Sequence, residues 1–268
     1  MNARQQRIVE RLRHAREVSV RDLAKALQAA PVTIRRDLAR LARAGALVRT
    51  HGGAMRAQVG VAAFAFRERA ERRAAQKAAI ARAVAGALRP DMTLALDTGT
   101  TTLAAARALA GIPRLRVLTN SLAIASALHA CDSMDLVLLG GQARRHSPDL
   151  AGPLTEDNLR QFRVDVAILG ADALDRDGLF TDDPGIARIA RAMIACAREV
   201  WLAADSSKFG RRAFVKYADW SAVARVVTDS GLPRAWRAWL GRRVGNVLVA
   251  PLGRGPDLRE NRIPEGPQ

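Results

Sequence analysis

From Lys77 to Ala250 the chain repeats one pattern, in which apolar runs of strand length are separated by stretches with helical spacing. The runs are Thr93–Leu96, Arg116–Leu118, Asp135–Leu139, Val164–Leu169, Val200–Ala204, Ala224–Thr228 and Asn246–Val249. They are nearly continuous rather than alternating, which suits strands buried on both faces. Helical stretches lie between several of them, at Leu103–Ala110, Leu122–His129 and most clearly Ile186–Arg198. The succession predicts an α/β domain, a mainly parallel sheet with helices on both faces. With only 4% aromatic residues, its core must be built mostly from Ala, Val, Leu and Ile.

Small and polar residues follow the apolar runs. The first ends in Asp97-Thr98-Gly99-Thr100-Thr101-Thr102 and leads into a helix, the second in Thr119-Asn120-Ser121, and the third in Gly140-Gly141. The fourth ends in Gly170-Ala171-Asp172 and the fifth in Asp205-Ser206-Ser207-Lys208. In open α/β sheets, ligands bind beyond the carboxyl ends of the strands. Glycines there let the backbone approach a ligand, helix N-termini present bare N–H groups to an anion, and Lys208 can balance its charge. Taken singly, each segment reads as an ordinary turn, cap or surface charge. Their recurrence at one edge points to a phosphate-bearing small molecule. No P-loop, GxGxxG or HExxH sequence is present.

The first 57 residues read as a different unit. Ile8, Val9 and Leu12 mark one helix, and Arg21 to Leu27 a second with Ser19 as its N-cap. Pro31 suits the first turn of a third helix, which runs to about Arg43 with Gly45 as its C-terminal cap. Ala46 to Thr50 and Ala54 to Arg56 follow as two short strands around the turn His51-Gly52-Gly53. Helix, helix, turn, helix and hairpin is the plan of a winged helix-turn-helix. On the third helix Ile34, Leu38 and Leu41 share a face, leaving Arg35 and Arg36 to the other side. Guanidinium forks suit phosphates and guanine edges.

The chain has 268 residues and a net charge of +17, which points to a polyanionic partner. Arg outnumbers Lys throughout, so part of that charge reflects general composition. Its placement is more telling: residues 1–56 hold thirteen basic and four acidic side chains, a balance of +9. Residues 58–76, rich in charge and without a strand pattern, read as a partly helical linker. The organisation expected is a DNA-binding domain over 1–57, a linker over 58–76, a sensing domain over 77–250 and a disordered tail over 251–268. Cys131 and Cys196 lie far apart, and His14, His129 and His146 lack metal-ligand spacing, so neither a metal site nor a cofactor is expected. The charged N-terminus does not suit a signal peptide, and no apolar run reaches the ~18 residues of a membrane span. A cytoplasmic setting is expected.

Two groups of motifs resemble the DeoR family of bacterial transcription regulators. In the N-terminal unit they are TIRRDL at 33–38 and RTHGGA at 49–54. In the remainder they are DTGTTT at 97–102, TNS at 119–121, GG at 140–141, LGADAL at 169–174 and DSSKFG at 205–210. The resemblance implies a repressor, oligomeric as a dimer or tetramer, whose grip on operator DNA responds to a phosphorylated sugar or related metabolite. It assigns Thr33, Arg35, Arg36 and Arg40 to the recognition helix and Arg49, Thr50, His51, Gly52 and Gly53 to the wing. It assigns Asp97, Thr98, Gly99, Thr100, Thr101, Thr119, Asn120, Gly140, Gly141, Asp172 and Lys208 to the effector. One departure is Ala30, where the family usually has a serine cap; losing such a cap costs ~1 kcal/mol. The loop Gln142–Asp149, with Arg144, Arg145 and His146, is also distinctive, so no particular sugar is implied.

Two other readings stay open on residues alone. A sugar-phosphate isomerase or deaminase would share the phosphate cradle and draw a general base from Asp97, Asp172 or Asp205, but it has no use for the N-terminal unit. A non-specific, chromatin-like DNA binder accounts for the charge and leaves the cradle without a purpose.

Overall fold

The computed structural model describes residues 1–15, 17–44, 46–56, 60–145 and 147–252. The expected cap Gly45, His146, the first residues of the linker and nearly all of the tail lie outside them.

The N-terminal domain comprises α1 (Ala3–His14), β1 (Glu17–Ser19), α2 (Val20–Ala26), α3 (Pro31–Arg43), β2 (Leu47–Arg49) and β3 (Gly53–Arg56). Its three strands form an antiparallel sheet in the order β1-β3-β2. Ile8, Leu12, Leu23, Ile34, Leu38 and Leu41 bury together as a cluster of its own. The helix starts follow local chemistry. Asn2 and Gln5 form a capping box at α1, and the Ser19 hydroxyl accepts from the Asp22 N–H at 3.0 Å at α2. Ala30 leaves α3 without a side-chain cap, and Pro31 opens the helix. Strand β1 was not foreseen. Three residues long, it is held by register with Gly53–Met55 rather than by any pattern of its own.

The second domain opens with α4 (Gly60–Glu71) and α5 (Ala74–Ala87), joined at Arg73, whose φ of 55° is left-handed. Alternation follows through β4 (Thr93–Leu96), α6 (Thr100–Ala108), β5 (Leu115–Thr119), α7 (Leu122–Leu128) and β6 (Met134–Leu138). A small hairpin, β7 (Gln142–Ala143) with β8 (Leu150–Ala151), precedes α8 (Pro153–Arg160) and β9 (Val164–Leu169). Next come β10 (Ala173–Asp175), β11 (Gly178–Thr181), α9 (Pro184–Cys196), β12 (Ala197–Ala203) and β13 (Val215–Ala218). The chain then runs through β14 (Arg225–Asp229), α10 (Arg234–Leu240) and β15 (Asn246–Ala250).

Seven strands form one parallel sheet in the order β15-β14-β12-β9-β4-β5-β6. Successive side chains on a strand enter opposite cores. Ala95, Leu118, Ala167, Val200 and Leu202 pack toward α8, α9 and α10, while Leu94, Leu96, Val117, Ile168, Trp201 and Ala203 pack toward α5, α6 and α7. Burial on both faces explains the continuous apolar runs of the inner strands, while the edge strand β6 leaves Val137 and Leu138 exposed. Strands β10, β11 and β13 make a separate antiparallel sheet absent from the sequence reading. Three of the four tryptophans, Trp220, Trp236 and Trp239, gather with Phe209 around α10, with ring centroids 5.4–6.5 Å apart.

The strand order reverses at β4. The chain proceeds from β4 to β5 and β6 on one side, then returns to β9 on the other. A crevice opens beyond the carboxyl ends of β4 and β9, where an open α/β sheet binds its ligand.

Candidate functional site

A cleft of about 620 Å³ occupies that position. Its floor is the β4–α6 turn. Asp97 is buried, and one of its carboxylate oxygens accepts from the Gly170 N–H at 3.0 Å, tying the end of β4 to the end of β9. Burial pushes the Asp97 carboxyl up to about 6; hydrogen bonds from the Gly170 and Thr98 N–H groups oppose this, while the charges of Asp172 and Asp149 add to it. Gly99 caps α6 with backbone only, so no side chain blocks the first-turn N–H groups of that helix. The Thr102 hydroxyl donates to the Asp97 and Gly99 carbonyls, each at 2.7 Å, and holds the turn closed from behind. Thr98, Gly99, Thr100 and Thr101 line the cleft in front.

Cationic side chains also line the cleft. Arg69, Arg72, Arg73 and Lys77 come from the junction of α4 and α5, and Lys208 and Arg211 from the segment after β12. Lys77 is buried, and its ammonium donates to the Arg69 and Arg72 carbonyls at the end of α4. Burial lowers it to about 8, with Asp205 pulling the other way and Lys208, Arg69 and Arg72 assisting the fall. Asp205 is held by its own turn, accepting from the Ser207 N–H at 3.1 Å and from the Ser207 hydroxyl. Arg73 stands 3.6 Å from the same carboxylate. Tyr217 is buried beside the floor and donates to the Gly170 carbonyl at 2.5 Å. Burial, then the charges of Asp97 and Asp172, raise its phenol well above the usual range.

Of the residues assigned to an effector, Asp97, Thr98, Gly99, Thr100, Thr101, Asp172 and Lys208 line this cleft. The other four stand behind it. Thr119 donates to the Leu96 carbonyl at 2.9 Å, and Asn120 donates to the Leu150 carbonyl at 2.7 Å, so both brace the sheet edge. Gly140 is bridged by Asn158 and Thr155 of α8. Gly141 has a φ of 154°, and a side chain there would meet the Thr155 hydroxyl at 2.0 Å. The sequence reading passed over Arg69, Arg73 and Lys77. The run of charge around them was the signal available, but they lie on two helices on either side of the left-handed Arg73, so no single helical period joins them. Arg144 and Asp149, from the distinctive loop after β6, also line the cleft.

In the N-terminal domain Arg35, Arg36, Arg40 and Arg49 are exposed, Thr33 and Thr50 are half-buried, and His51 and Gly52 lie at the exposed tip of the β2–β3 turn. The orientation of Arg35 and Arg36 follows from the burial of Ile34, Asp37 and Leu38 on the same helix. Asp37 accepts from Gln5 Nε2 at 2.7 Å and from Arg4 Nε at 2.5 Å, so it fastens α3 to α1 and keeps its charge from the outer arginines. Gly53 is buried; a Cβ there would lie 2.0 Å from the Val18 carbonyl oxygen, so the approach of β1 requires glycine. Among the described residues no three His, Cys, Asp or Glu side chains are grouped to hold a metal ion. Nor is any described helix long and apolar enough to cross a membrane.

The chain matches two protein families, the DeoR-like helix-turn-helix domain over residues 4–58 and the DeoR C terminal sensor domain over residues 72–230. It is 37% identical over 227 residues to the glycerol-3-phosphate regulon repressor of Escherichia coli (strain K12), covering 84% of this chain and 90% of that protein. It is 39% identical over 230 residues to the transcriptional repressor AccR of Agrobacterium fabrum, covering 85% and 89%. Among solved structures, a D-ribose-5-phosphate isomerase in complex with phospho-erythronic acid aligns with a TM-score of 0.38 at 18% identity, over 50% of this chain and 52% of that one.

Proposed function

The chain belongs to the DeoR family of DNA-binding transcriptional regulators, and we propose that it is a repressor of carbohydrate-related genes whose operator binding responds to a phosphorylated sugar or related metabolite. Its relatives include repressors, one of them named for a glycerol-3-phosphate regulon, which supports a regulator rather than an enzyme. For DNA, α3 enters the major groove. Arg35 and Arg36 reach base edges and phosphates, and Arg49 with the β2–β3 turn follows the neighbouring backbone. Two N-terminal domains in an oligomer would take the two half-sites of an operator.

The observation that carries the metabolite reading is the cleft at the strand-order reversal. An uncapped helix N-terminus and a group of arginines and lysines line it together. Such a site suits a phosphate, which accepts from N–H groups and pairs with cations. The effector alters DNA binding because it favours one conformer of the regulator over the other. The test is the melting temperature of the full chain with sugar phosphates and with the same sugars unphosphorylated. At least one phosphorylated compound should raise the transition by several degrees and change retention of a duplex selected by the protein from a random pool. Equal response to phosphorylated and unphosphorylated forms would refute the phosphate assignment.

A further inference from the structure

Asp149 lines the cleft beside Arg144. It is fully buried, at 0% exposure. One carboxylate oxygen, Oδ2, accepts from Arg144 Nη1 at 3.0 Å. The other, Oδ1, is buried and has no hydrogen-bond partner. The residue cannot easily turn to find one. Its carbonyl accepts from the Arg144 N–H at 3.0 Å, and the next N–H, of Leu150, donates to the Asn120 carbonyl at 2.8 Å. Arg144 is fixed in turn, since its Nη2 donates to Asp183 Oδ2 at 2.6 Å. Asp183 caps α9 through its other oxygen. An acceptor buried without a donor is costly, and a carboxylate doubly so. Held in place at a ligand cleft, Oδ1 can accept from a donor that the ligand brings.

We propose that Asp149 Oδ1 accepts a hydrogen bond from a hydroxyl group of the effector, making the residue a selector for polyhydroxylated phosphates over phosphates without hydroxyl groups. This rests on the effector reading above and adds the second half of the ligand. The phosphate end meets the α6 N-terminus and the cationic side chains, and a hydroxyl-bearing end meets Asp149. The influence of Asp149 extends along the cleft floor, where its charge contributes to the raised Asp97 carboxyl. A hydroxyl suits Oδ1 because it donates to it while its own oxygen remains free for a neighbouring donor.

The experiment is isothermal titration of the full chain with glycerol 3-phosphate, ribose 5-phosphate, fructose 6-phosphate, glucose 6-phosphate and n-propyl phosphate. It is run on wild type, Asp149→Ala and Asp149→Asn, with thermal melts of each protein. We expect the tightest polyol phosphate to lose roughly 10- to 100-fold in affinity on Asp149→Ala, the scale of a hydrogen bond to a charged group. It should lose less on Asp149→Asn, whose amide keeps the shape and still pairs with a hydroxyl. The weak affinity of n-propyl phosphate, which has no hydroxyl, should stay the same in all three. An unchanged polyol affinity in Asp149→Ala overturns the Asp149 assignment and leaves the effector reading intact. So does an equal loss for n-propyl phosphate, which would mean that the whole cleft had collapsed. If Asp149→Ala does not fold, the same comparison on Asp149→Leu, close in size and unable to accept a hydrogen bond, decides. Failure of every compound to bind wild type overturns the effector reading itself, and this assignment with it.

Discussion

At the scale of single residues, the cleft is built from groups held out of their ordinary states. Asp97 shows the consequence most directly. Burial holds its carboxyl at about 6 in the folded chain, above the ordinary carboxylate value of 3.8. Between those values the folded chain holds a proton that the unfolded chain has lost, so this residue's contribution to stability falls as pH rises from about 4 to about 6. Two units correspond to about 3 kcal/mol at most. Asp97→Asn keeps an acceptor for the Gly170 N–H and removes the titration. Urea unfolding from pH 4 to pH 7 should therefore show the variant gaining on wild type as pH rises; parallel curves would mean that burial does not perturb Asp97. The same residue marks what could be read from the sequence. Asp97 and the threonines after it stood out because a polar run followed an apolar one. That Asp149 carries an unpartnered oxygen could not be read, because it depends on where Arg144, Asp183 and Asn120 meet in space.

At the scale of elements, the central strands were legible because most of their side chains are buried and apolar on both faces. The third helix was legible because Ile34, Leu38 and Leu41 repeat at its period while Arg35 and Arg36 break it. Elements stabilised by distant partners were not. Strand β11 pairs with β13 more than thirty residues away, and β1 depends on β3 across two helices. The assignment of α4 and the start of α5 to a linker missed their contribution to the cleft for the same reason. Charge along a helix does not reveal which face meets another domain element until Phe66 is placed in the core. Local capping, by contrast, is a sequence property with a local consequence. Ala30→Ser should supply the hydroxyl that α3 lacks and stabilise the N-terminal domain by roughly 0.5–2 kcal/mol, seen as a higher midpoint in its unfolding transition. No gain would indicate that Pro31 already fixes the helix start.

At the scale of the whole molecule, function divides between two domains. One holds α3 so that its arginines stand in solvent, and the other holds a polar cleft at the strand-order reversal of a parallel sheet. Concentrating +9 of the net +17 in residues 1–56 makes the first of these the natural site for a polyanion. The most direct test is fluorescence anisotropy of a labelled duplex, selected by the wild-type chain from a random pool, titrated at low and physiological salt with wild type, Arg35→Ala and Arg36→Ala. Wild-type affinity should fall steeply with salt, and each substitution should weaken binding about 10- to 100-fold while leaving the melting of the sensor domain unchanged. Equal affinity of all three proteins, or no dependence on salt, would contradict the assignment of α3 to DNA.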